Sequence, residues 1–112
     1  MIPGRQKKLT KDFFNIVADE WFTRTYDPDQ TFLKFPSNRV RMELVVREIK
    51  RLKIRGLMLD VGCGTGELVL ELQKKGNRVL GIDIAERMIE KAKENFRQRK
   101  RTGSPDEVFK PA

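Results

Sequence analysis

Apolar residues recur at helical spacing in two long segments of the N-terminal half, and the pattern then changes. From Lys11, Phe13, Val17 and Trp21 fall on one stripe, with Phe14, Ala18 and Phe22 beside it. This spacing predicts a helix with a wide aromatic face, which either packs on a core or lies as a lid over a ligand pocket. Residues 1–10 read as a loose arm ahead of it. Tyr26-Asp27-Pro28-Asp29 reads as a turn, followed by a connector over 30–36 that stops at Pro36. Ser37 is a candidate N-cap for a second helix over 38–54. Met42, Val45, Val46, Ile49 and Leu52 form its apolar stripe. Arg39, Arg41, Arg47, Glu48, Lys50 and Arg51 cover the other side, and Gly56 is expected to close it.

Beyond Gly56 the chain alternates short apolar runs with helical segments. A strand over 57–61 is followed by a helix over 66–75 with Leu68, Val69 and Leu72 turned inward. A second strand over 78–83 precedes a helix over 85–100, with Met88, Ile89, Ala92 and Phe96 at helical spacing. After the loop Thr102-Gly103-Ser104-Pro105, Glu107-Val108-Phe109-Lys110 predicts a third short strand. Strand–helix–strand–helix–strand predicts a parallel sheet with right-handed crossovers. The expected class is therefore α/β: a partial doubly wound, Rossmann-like parallel sheet over 57–112, preceded by two N-terminal helices over 1–56 that act as a lid or cap.

Composition narrows the possible chemistry. The 112 residues suffice for one modest core. Hydrophobic residues make up 38% and charged residues 36%, and no apolar stretch approaches the roughly 18 residues that span a bilayer. Cys63 is the lone cysteine, so an internal disulfide is excluded and a cytoplasmic setting is expected. Histidine is absent, which removes the commonest general base and, with one cysteine, argues against a zinc site. The net charge of +8 gathers between Arg39 and Arg55 and in Arg97-Gln98-Arg99-Lys100-Arg101. It would suit nucleic acid, anionic lipid or a phosphorylated substrate, or simply a solvated face. No aromatic residues interleave with the second run, so a base-stacking platform is not suggested there.

Asp60-Val61-Gly62-Cys63-Gly64-Thr65-Gly66-Glu67 joins the first strand to the next helix, with glycine at every second position of the loop. Glycines there allow a sharp bend and let a ligand rest on bare main chain near the helix N-terminus. Asp83 ends the second strand 21 residues beyond Gly62, near the spacing at which an acidic residue holds ribose hydroxyls in nucleoside-binding α/β units. The dinucleotide fingerprint has its third glycine one position later; here that position is Glu67. A carboxylate at that point opposes a pyrophosphate and suits a ligand carrying positive charge.

These residues resemble a known family. Leu59-Asp60-Val61-Gly62-Cys63-Gly64-Thr65-Gly66 is similar to the first motif of class I S-adenosylmethionine-dependent methyltransferases. Gly81-Ile82-Asp83-Ile84-Ala85-Glu86-Arg87-Met88-Ile89 is similar to the family's second strand and following helix. The resemblance covers about residues 57–100. It implies a methyl transfer reaction using S-adenosyl-L-methionine, with S-adenosyl-L-homocysteine as product. It further implies that Gly62, Cys63, Gly64 and Gly66 contact the methionine portion, Asp83 the ribose hydroxyls and Ile84 the adenine. Asp60 would face the amino group through water. Cys63 is expected to be a small loop residue rather than a nucleophile, and Arg39 or Arg41 is a candidate for the cofactor carboxylate.

The family's sheet continues beyond a third strand, where this sequence stops. No catalytic residue is assigned, and without histidine any base would be a carboxylate, a tyrosine such as Tyr26, or a group from outside the chain. The methyl acceptor is unknown. In the doubly wound order, the first strand would lose a neighbour, so its edge is expected to be covered by the N-terminal helices, a second copy in a homodimer, or a partner chain. A truncated product of a longer protein is the alternative. Three rival functions stay open: a non-catalytic cofactor-binding or partner subunit, a dinucleotide dehydrogenase, and a nucleic-acid-binding domain.

Overall fold

The computed structural model describes residues 3–25, 36–99 and 103–112. The turn at 26–29, residues 30–35 of the connector, and Lys100 and Arg101 at the end of the second basic run lie outside these residues, as do the side chains of Phe22 and Ser37. The described elements are α1 (Pro3–Thr25), α2 (Pro36–Arg51), β1 (Leu57–Val61), α3 (Glu67–Lys74), β2 (Arg78–Asp83), α4 (Glu86–Gln98), α5 (Pro105–Val108) and β3 (Phe109–Pro111). The three strands are parallel in the order β1-β2-β3, with Leu59 opposite Leu80, Val61 opposite Ile82 and Asp83 opposite Pro111. The α/β architecture expected from the sequence is the one observed.

Three local boundaries differ from the sequence reading, each for a local reason. The loose arm is helical: α1 begins at Pro3, and polar links one turn apart support its first half. Lys8 pairs with Asp12 at 2.9 Å, and the Thr10 hydroxyl donates to the Gln6 carbonyl at 3.0 Å. Apolar periodicity carries no record of such pairs. α2 stops at Arg51 rather than running to Gly56. Lys53 takes the left-handed conformation at φ 53°, and the Ile54 N–H reaches back to the Ile49 carbonyl at 3.2 Å. That is a Schellman ending with lysine where glycine is usual. The expected strand over 107–110 is displaced by α5, because Ser104 caps a helical turn: its hydroxyl accepts from the Asp106 N–H at 3.3 Å, with Pro105 following it. The strand proper starts at Phe109.

One core fills the space between the sheet and α2, α3 and α4. Val46, Val69, Leu70, Leu72, Val79, Ile89, Ala92, Phe96 and Phe109 form it, with Met58 half-buried at its margin. Phe96 and Phe109 meet edge to face at 6.4 Å, and each contributes roughly 1.5–3 kcal/mol by burial. α1 lies along α4, where Ala18 is sealed against Ala85 and Met88.

The other face of β1 is bare. Side chains alternate across a strand, so Leu57, Leu59 and Val61 share the face away from Met58, and they are 59%, 58% and 71% exposed. β1 is also an edge strand. The expectation that the N-terminal helices might cover it is not met among the described residues, since α1 packs on α4 and α2 on α3.

Candidate functional site

The bend after β1 is built from three glycines in the left-handed region: Gly62 at φ 73°, Gly64 at φ 56° and Gly66 at φ 82°. Its first turn is pinned to the tip of β2, where the N–H groups of Gly62 and Cys63 both donate to the Ile82 carbonyl, at 2.8 and 2.9 Å. One residue further along β2, the Asp83 carboxylate clasps the bend. Its Oδ2 accepts from the Gly64 N–H and its Oδ1 from the Ala85 N–H, each at 2.9 Å. A single acidic side chain therefore ties together the glycine bend and the start of α4.

Over this corner lies a cavity of about 430 Å³. Gly62, Cys63 and Gly64 line one side, Ile82, Asp83, Ile84 and Met88 another, and Thr10, Phe14 and Trp21 of α1 form the roof. Trp21 stands against the bend: a Cβ at Gly64 would lie 3.6 Å from its indole nitrogen. Phe14 supports Trp21 edge to face at 5.6 Å. The roof is clipped to α4 by polar contacts. Lys11 pairs with Glu86, Asn15 exchanges hydrogen bonds with the Glu86 side chain at 3.2 Å and the Arg87 N–H at 2.9 Å, and Arg87 pairs with Asp19 at 2.8 Å. Lys11 and its neighbours hold the Glu86 carboxyl down to about 2.

The structure thus brings Gly62, Cys63, Gly64, Asp83 and Ile84 to one cavity wall. Asp60 and Gly66 lie outside that wall. Asp60 is half-buried behind the bend; burial first, and repulsion from Asp83 second, raise its pKa. Gly66 faces the core, where a Cβ would come within 2.7 Å of the Phe109 ring. Cys63 is buried, and burial together with the Asp83 and Asp60 charges pushes its thiol up to about 12. At neutral pH it is a packed thiol, with no thiolate to attack. Neither Arg39 nor Arg41 lines the cavity; Arg39 Nε reaches Glu43 at 3.3 Å.

Glu67 departs from its expected part. Its carboxylate turns away from the cavity into the interior, 5% exposed, where Arg99 Nη2 meets it at 2.5 Å and Asn95 Nδ2 at 3.4 Å. Burial raises its pKa and Arg99 opposes the rise. Asn95 also donates to the Thr65 carbonyl at 3.0 Å, so α4 braces the far side of the bend. The sequence signalled Phe14 and Trp21 as an aromatic face, but nothing in it marked Thr10 as a roof residue or Asn95 as a brace. Those roles depend on where α1 and α4 cross the bend.

Comparison with known proteins points to methyltransferases. Residues 58–105 match the family model described as a methyltransferase domain. The ubiquinone biosynthesis O-methyltransferase of Leptothrix cholodnii is 36% identical over 77% of the chain. Among solved structures, magnesium protoporphyrin IX methyltransferase from Synechocystis PCC 6803 with bound S-adenosylmethionine superimposes with a TM-score of 0.76. It is 25% identical over 93% of this chain and 52% of that one. The same enzyme with bound S-adenosylhomocysteine gives 0.76 at 26% identity, over 95% and 51%. The chain spans about a third of the length of the Leptothrix relative, at 34%. Among the described residues no helix is long and apolar enough to cross a membrane.

Proposed function

Since the chain belongs to the class I S-adenosylmethionine-dependent methyltransferase family, whose cofactor is S-adenosylmethionine and whose product is S-adenosylhomocysteine, we propose that the cavity beneath α1 is its cofactor site. The chain then supplies the N-terminal, cofactor-binding portion of a cytoplasmic methyltransferase. The observation that carries this reading is the convergence of the bare bend and Asp83 on one roofed cavity. The residues fit the group. Gly64 sits at φ 56°, a conformation that favours glycine, and its bare main chain lies beneath Trp21, whose indole nitrogen would be in ordinary contact, at 3.6 Å, with any Cβ there. A carboxylate has about four acceptor positions. Asp83 commits two to backbone N–H groups, leaving two for a ribose diol.

When bound, the cofactor supplies a methyl group made electrophilic by a sulfonium. The chain's own part is to hold and shield. The Gly62–Gly64 main chain would seat the methionine portion, Asp83 would take the ribose and Ile84 would pack on adenine, while Asp60, outside the cavity wall, is not placed to face the amino group. α1 is the lid: Phe14 and Trp21 keep water from the reacting sulfur. No catalytic base is assigned. The acceptor itself stays unassigned.

Calorimetry and tryptophan fluorescence on the 112-residue chain test this together, because Trp21 is the sole tryptophan. S-adenosylhomocysteine is expected to release heat and shift Trp21 emission, with NAD doing neither. Binding of NAD alone would replace this reading with a dehydrogenase.

A second reading keeps the cofactor site and drops turnover: a partner subunit completed by another chain. The bare face and open edge of β1 favour it. Strand pairing across that edge would give a symmetric homodimer or a complex with a partner chain. Light scattering is expected to give twice the chain mass, and slow amide exchange over 57–61. A monomer with fast exchange there removes this reading.

A further inference from the structure

At the end of the sheet opposite the glycine bend, where β1 and β2 begin, the surface has a different chemistry. α2 and α3 both finish there. A groove of about 570 Å³ runs between them, floored by Val46 and Ile49 and rimmed by Lys50, Lys53, Arg55 and Lys75. None of these four cations makes an ion pair with a described residue, whereas Arg51 beside them takes Glu48 at 2.7 Å. Two acidic side chains, Glu43 and Glu71, share an adjoining hollow with Lys50 and Lys75 without an ion pair to either. Between the cations, two aliphatic side chains stand in water: Leu52 is 56% exposed and Ile54 43% exposed. The segment Arg51-Leu52-Lys53-Ile54-Arg55 therefore presents charge and hydrocarbon alternately on a tight turn, held there by the left-handed Lys53 and the Ile54-to-Ile49 hydrogen bond.

We propose that this pole docks on the surface of an anionic phospholipid membrane. A phosphate-rich partner alone would explain the unpaired cations. It leaves unexplained two exposed aliphatics set among them on an ordered turn. A lipid interface uses both: cations meet headgroup phosphates while short apolar side chains enter the boundary with the acyl chains. A single-stranded nucleic acid would call for stacking rings, and none lines this rim; a duplex would use the cations and leave the two aliphatics without a role. The association is peripheral and needs no occupant in the cofactor cavity, so it stands apart from the methyltransferase reading.

Sedimentation of the 112-residue chain with vesicles tests it. Vesicles of equal parts phosphatidylcholine and phosphatidylglycerol are expected to carry the chain down, and pure phosphatidylcholine vesicles to leave it in solution. Replacing Lys53 and Arg55 together by glutamine should lower partitioning roughly 30-fold, about fivefold for each cation. Replacing Leu52 and Ile54 together by serine should lower it several-fold with the charge intact. All four positions are exposed, and matching thermal melts verify that each variant is folded. Equal partitioning to both vesicle types overturns the proposal. So does undiminished binding by the serine variant, and so does tight, salt-sensitive binding of an RNA oligonucleotide that the serine variant retains.

Discussion

Gly66→Ala is expected to lower the melting temperature by roughly 10–20 °C, the loss that about 3 kcal/mol produces in a domain of this size. Two costs combine. The residue sits at φ 82°, where a Cβ meets the neighbouring carbonyl at a cost of roughly 1–2 kcal/mol. That Cβ would also lie 2.7 Å from Cζ and 2.8 Å from Cε1 of Phe109, and 3.1 Å from the Ala92 methyl. Phe109 is fully buried, so its ring has no free space to move into. Overpacking of this kind costs roughly 1–3 kcal/mol. Gly62→Ala is the control, because it shares the left-handed backbone at φ 73° and has nothing within 4 Å of its Cβ. It should show the smaller loss alone. Combining Gly66→Ala with Phe109→Leu should recover part of the steric cost and none of the backbone cost. Thermal melts by circular dichroism read all three. A Gly66→Ala protein that melts with the parent would mean that Phe109 does not back the bend.

Asp83→Ala is expected to weaken S-adenosylhomocysteine binding by about a hundredfold or more. The carboxylate accepts from two backbone N–H groups and, in the proposed site, from the ribose. Hydrogen bonds to a charged group are worth roughly 1.5–3 kcal/mol each, and a hundredfold corresponds to about 2.7 kcal/mol. The substitution also frees the Gly64 and Ala85 N–H groups, so the bend loses its tie to α4. Asp83→Asn separates the two effects. Its amide oxygen can still accept from one N–H, so much of the stability should persist while affinity falls. Calorimetry reports affinity and a thermal melt reports the fold. If Asp83→Ala binds like the parent, the ribose is held elsewhere.

The parts of this molecule readable from its sequence are those set by local rules. Glycine at every second position and an acid 21 residues on located the bend and its clasp, because backbone freedom and strand spacing are properties of the chain itself. The helical periods of α3 and α4 name Leu68, Val69, Leu72, Met88, Ile89, Ala92 and Phe96; all but the half-buried Leu68 are buried, and the fully buried Leu70 is missed. Features that depend on long-range meeting were hidden. Glu67 looked like a ligand-facing charge until Arg99, 32 residues away, took it inward. Gly66 looked like part of the cradle, yet its immediate neighbour is a ring 43 residues further along. The start of α1 was missed because lysine–aspartate pairing, not apolar spacing, supports its first turns.

That last glycine-to-ring contact has a bearing on synthesis. The first motif is complete in the nascent chain by residue 66, but its backing arrives with Phe109, and the Ala112 N–H closes onto the Asp83 carbonyl at 2.8 Å later still. On a ribosome, the bend would therefore gain this backing only once the third strand has left the exit tunnel, so any ligand held at the proposed site would meet a finished corner only after that point.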